Sequence, residues 1–150
     1  MPRAMATEIE RQCEAIEACY EFTLSFAARG LPSDESSDSG GRLRDNLARA
    51  AAAMRGLAQS CKDVLEQEQL APREKYEVFF EVLNHDTEGA LAAVELVLAQ
   101  PAIGSQLIDN LNASLHLRAL LADLFLVTEI LDARQTEAKA EVASQRADAR

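Results

Sequence analysis

The stretch LHLRALLADLFLVTEIL, residues 115–131, decides how this chain is read. A helix at a protein surface shows one apolar stripe and one wet face. Here Leu115, Leu117, Leu120, Leu121, Leu124, Phe125, Leu126, Val127, Ile130 and Leu131 point to every side of the helix. Only Arg118, Asp123 and Glu129 interrupt them with charge. A helical bundle covers about half of each of its helices, so this one has apolar surface left over.

Composition sets the class. The chain has 150 residues, enough for one domain with a real core. Alanine and leucine dominate, aromatic residues make up 5%, and there is no Trp. Strong helix formers fill the chain and β-branched residues are scarce, which argues all-α. The net charge of −10 argues against nucleic acid, whose phosphates want a basic patch, and against an anionic membrane surface. No run reaches the roughly 20 apolar residues a membrane span needs. The first residues, MPRAMATEIERQ, lack the apolar core of a secretion signal. Cys13, Cys19 and Cys61 are an odd number of thiols without an export feature, and the expected location is cytoplasmic.

Punctuation divides the chain into helices. Thr7 with Glu10 forms a potential capping box. The helix it opens runs to Arg29, where Gly30 and Pro32 stop it. Residues 30–41, GLPSDESSDSGG, read as a flexible loop, because nothing after Leu31 is apolar. Ser36 and Ser37 beside acids could accept phosphate, but a plain connector is the simpler reading. A second helix covers about 42–68, and a third runs from Pro72, well suited to a first helical turn, to about Ala99. After QPAIGS the fourth begins near Ser105 and continues at least to Asp132.

The expectation is an up-down four-helix bundle over residues 1–132, with 133–150 a charged tail, helical or disordered. Core stripes at three- and four-residue spacing are Ile9, Cys13, Ile16, Tyr20 and Leu24 in the first helix, with Cys19, Phe22 and Phe26 widening it. Leu43, Leu47, Met54, Leu57, Cys61 and Leu65 mark the second, and Phe80, Leu83, Thr87, Leu91 and Val94 the third. Cysteines on those stripes read as inert packing groups.

Two acidic stripes are the most regular polar features. Glu10, Glu14, Glu17 and Glu21 mark the first helix, and Glu74, Glu77, Glu81, Glu88 and Glu95 the third. Di-iron bundles use inward carboxylates and two Glu-x-x-His pairs. Here Glu81 and His85 are four apart, no second pair exists, and both stripes lie opposite the apolar ones. A solvated face is the better reading. Yet like charges at this spacing repel, and the first helix has no Lys to relieve them. Glu10, Glu14, Glu17 and Glu21 are therefore a candidate docking face for a basic protein partner. His85 and His116 stand in no nucleophile, phosphate-loop or metal motif, so no catalytic residue, metal ligand or cofactor is assigned. The pattern carries no family signature and resembles bacterial helical-bundle proteins at the level of fold alone.

These features lead to a non-enzymatic interaction module of adaptor, chaperone-like or regulatory type, acting as a homodimer. The interface expected on the spare side of the fourth helix comprises Leu111, Leu115, Arg118, Ala122, Phe125 and Glu129. The alternative is a bundle holding a metal or a small apolar ligand between helices, with Phe22, Phe26, Phe79 and Phe80 lining the pocket.

Overall fold

A computed structural model describes residues 2–35 and 38–149, and of residues 2–7 the backbone alone. Ser36 and Ser37 lie outside the described residues. The fold is all-helical, in line with the composition, and the described residues form five helices: α1 (Pro2–Ala28), α2 (Asp38–Gln67), α3 (Arg73–Leu98), α4 (Ser105–Ala113) and α5 (Leu115–Asp148).

The expected fourth helix is thus two. Ser114 takes extended dihedrals (φ −60°, ψ 129°) and serves as C-cap of α4 and N-cap of α5. Tertiary anchoring accounts for the break. Asn112 is buried, and its Oδ1 accepts a bond from the Thr23 hydroxyl of α1 at 2.9 Å. Leu111 is buried beside it. This pins the short helix across α1 while α5 leaves along a new axis. At its far end α5 runs on to Asp148, so the tail is helical for nearly all its length.

Packing follows neighbours. α2 lies between α1 and α3, while α5 lies between α3 and α1. α4 packs mainly on α1. Ile9, Ile16, Leu43, Leu47, Leu57, Leu83, Leu120 and Leu124 meet in one continuous core. On α5 the inward set is Leu117, Leu120, Leu121, Leu124, Val127 and Leu131. In α1 the buried line differs from the expected stripe. It runs Ile9, Cys13, Ile16, Cys19, Thr23 and Phe26, leaving Leu24 exposed and Tyr20 half-buried. The 3.6-residue period moves a stripe around a helix this long, and Thr23 is admitted because its one hydroxyl proton has two acceptors in reach, Tyr20 O and Asn112 Oδ1.

The segment expected to be a flexible loop, 30–41, is shorter and tied down. Gly30 (φ +64°) turns the chain after α1, in the left-handed region that glycine enters at no steric cost. α2 already begins at Asp38. Between them Asp34 is buried: its Oδ1 accepts the Ile103 N–H at 2.6 Å, and its Oδ2 accepts Arg44 Nε–H at 2.5 Å. The Arg44 guanidinium also donates to the carbonyls of Leu98 and Gln100. Ser105 completes the end: its Oγ donates to Phe26 O and accepts the Leu31 N–H, and its backbone N–H donates to Leu31 O. A loop with no apolar side chain after Leu31 is thus tied down by the Asp34 carboxylate and by Ser105.

Candidate functional site

The site is built on the outward side of α5. Within one helix, steps of three, four, three and four residues return to the same face. Leu115, Arg118, Ala122, Phe125 and Glu129 follow those steps, and all five are exposed. Leu115 is 76% exposed and Phe125 46%. Towards α3 the apolar surface continues through Leu126 (52%) and Ile130 (37%). Leu111, expected among these residues, is only 5% exposed and packs inward from α4. The Ser114 break ends the phase that would have aligned it with Leu115.

Towards α1 the stripe borders a groove of about 400 Å³. Tyr20 and Leu24 of α1 face Leu121, Ala122 and Phe125 of α5 across it, and Arg118 stands at its rim. Glu17 and Glu21 form the acidic lip on α1. Among the described residues, neither Arg118 nor Glu129 forms an ion pair.

The acidic residues of α1 occupy its shoulder towards α5 rather than its back. Glu14 and Glu21 are exposed and Glu17 half-exposed, while Glu10 turns against Asp132 of α5. A hydrogen bond to Asp132, then burial, then the charges of Asp132 and Glu14 push the Glu10 carboxyl up to about 7. Glu10 is therefore part of a helix–helix contact, and only Glu14, Glu17 and Glu21 remain as an open acidic face. A second such pair joins α3 to α5, and no sequence pattern announced it. Burial, followed by the hydrogen bond and charge of Asp86, pushes Asp123 up to about 7. Its Oδ2 is buried without another partner.

Other candidates are not assembled. Phe22 and Phe26 lie with Arg42 at the start of α2, and Arg42 sits 5.7 Å over the Phe22 ring. Phe80 faces Cys61 and Leu65, near the other end of α2. Some nineteen residues of helix, roughly 28 Å at ~1.5 Å per residue, separate the two groups. They line no common pocket. Glu74, Glu77, Glu81, Glu88 and Glu95 are exposed, and among the described residues no three His, Cys, Asp or Glu side chains converge as a metal cage. His85 and His116 are exposed, the latter against Gly89 of α3. A hollow of about 800 Å³ along Ala138, Val142 and Arg146 is open to solvent and walled by α5 alone among the described residues. No helix among the described residues is long and apolar enough to cross a membrane.

No family model, curated protein or solved structure matches this chain.

Proposed function

We propose that this chain is a non-enzymatic protein–protein interaction module of adaptor, chaperone-like or regulatory type that works as a homodimer. In this reading α1, α2, α3 and α5 are the arms of an up-down four-helix bundle, and α4 is a brace across one end. The observation that carries it is the apolar outward stripe of α5. Phe125, Leu126 and Ile130 expose neighbouring apolar side chains on one helix, with Leu115 further along its outward side, a pattern that interfaces use. The open acidic shoulder of Glu14, Glu17 and Glu21 supports a second contact, with a basic protein partner. Burial of all three free thiols suits a reducing, cytoplasmic setting.

Sedimentation equilibrium at micromolar concentration tests the reading. A dimer is expected, and Phe125→Glu is expected to dissociate it with unchanged helicity. A wild-type chain that sediments as a monomer overturns self-association.

A further inference from the structure

The outward stripe is self-complementary, and that property selects its occupant. Arg118 and Glu129 are exposed, without ion-pair partners among the described residues, and eleven positions apart on one face. Ala122 and Phe125 lie between them. A twofold axis perpendicular to α5, passing midway between residues 123 and 124, exchanges 118 with 129 and 122 with 125. Four of the five stripe residues, Arg118, Ala122, Phe125 and Glu129, then meet complements. Cation meets carboxylate twice, and the largest side chain meets the smallest twice. A parallel pairing in register would set Arg118 on Arg118 and Phe125 on Phe125. A generic hydrophobic partner would have no use for the charge pattern.

We infer that a second copy of this chain lies antiparallel along α5, with Arg118 of each copy against Glu129 of the other and each Phe125 entering the α1–α5 groove beside the other copy's Ala122. The inference rests on reading the chain as a self-associating module, and adds the partner, the register and the place of the groove. Closed twofold contacts of this kind are the commonest in homo-oligomers. The groove is floored by Tyr20, Leu24 and Leu121, apolar and open, as an incoming aromatic ring requires. Leu115 of each copy falls beside Asp132 and Ala133 of the other, at the edge of the contact. Glu17 and Glu21 form the lip of the same groove, so the acidic shoulder borders this contact.

Charge reversal tests the register. Arg118→Glu and Glu129→Arg singly set like charges opposite each other twice, and each is expected to weaken the dimer at least about a hundredfold. The double swap is expected to return to within about threefold of wild type. Net charge alone cannot mimic this result. Glu129→Arg makes an acidic chain less acidic and would tighten a contact limited by overall repulsion. Recovery failing in the double swap overturns the register.

Spin labels give a second readout, on Ala133→Cys and Ala140→Cys, both exposed sites on α5. The native thiols are buried, so each label reports one position. Antiparallel pairing about this axis places the two labels roughly 30 Å apart for residue 133 and roughly 50 Å for residue 140. Parallel pairing gives roughly 10 Å for both. A dimer with short distances at both sites overturns the register and leaves self-association standing. No dipolar coupling together with monomer sedimentation overturns both.

Discussion

Asp123 and Asp34 are two carboxyls of one chain whose environments drive them in opposite directions. Asp123 is raised to about 7, first by burial and then by Asp86. The folded state therefore holds a proton that the unfolded chain has released. The resulting stability is full below the ordinary carboxylate value of 3.8 and is lost as pH rises through about 7. Asp123→Asn mimics the protonated form at every pH. It is expected to raise Tm by about 3 °C or more at pH 8 and to leave it unchanged near pH 4. A thermal scan at the two pH values checks this, and equal shifts at both would remove the Asp86 contact as the cause. Burial of Asp34 alone would raise its carboxyl, but the Arg44 guanidinium and the N–H groups of Ile103 and Asp34 itself outweigh it and hold it below the usual range. Its contribution is present at neutral pH and lost as pH falls through that depressed value. Asp34→Ala removes the acceptor for Arg44 and leaves the buried Ile103 N–H unpaired. At neutral pH it is expected to cost about 2–4 kcal/mol. Asp34→Asn, which still accepts a bond, should cost less.

At the scale of elements, the long amphipathic segments were legible and the exceptions share a cause. α2 and α3 fall within a few residues of their expected bounds, because Leu43, Leu47, Met54 and Leu57 or Phe80, Leu83 and Val94 repeat at helical spacing. The inward line of α5, Leu117, Leu120, Leu121, Leu124, Val127 and Leu131, keeps the same spacing. Ser114 was not legible, because Leu115 and Leu117 follow it without a break in apolar pattern and its side chain makes no cap bond. What stops α4 is Asn112 meeting Thr23, 89 residues away in sequence. Asp34 was illegible for the same reason, since Ile103 lies 69 residues off. The acidic stripe of α1 was visible as a stripe, but its first member belongs to a contact with Asp132 that only the fold creates. Deleting residues 33–39 makes the cost of such links measurable. Loop shortening by itself is nearly free, yet this deletion removes Asp34 and the first residues of α2. It is expected to lower Tm by about 5 °C or more, and an unchanged Tm would mean that Asp34 contributes nothing net. Glu14→Lys with Glu21→Lys is the counter-case. Both side chains are exposed and without ion pairs among the described residues, so helicity should hold or rise slightly as repulsion falls. Unfolding of that variant on circular dichroism would make the shoulder structural.

For the whole molecule, the proposed self-association would bring together two chains that each carry a net charge of −10. With helix axes about 9 Å apart, bundles paired side by side through α5 would have their charge centres roughly 25 Å apart. Treated as points, they repel by about 7 kcal/mol at 10 mM salt, where the screening length is about 30 Å, and by less than about 1 kcal/mol at 150 mM. Spreading the charge over each surface reduces the first figure, but a third of it still exceeds what exposed ion pairs supply, about 1 kcal/mol or less each. Two terms thus oppose each other as salt is added. The Arg118–Glu129 pairs weaken, the overall repulsion weakens more, and the apolar contact of Phe125 with the groove is nearly indifferent. The dimer should therefore tighten by at least about tenfold between 10 mM and 150 mM NaCl, measured by sedimentation equilibrium at pH 7.5. The dependence should then flatten, because little repulsion remains to be screened. A dimer that loosens steadily over the same range would mean that attraction between opposite charges, rather than the apolar stripe, holds the two copies together.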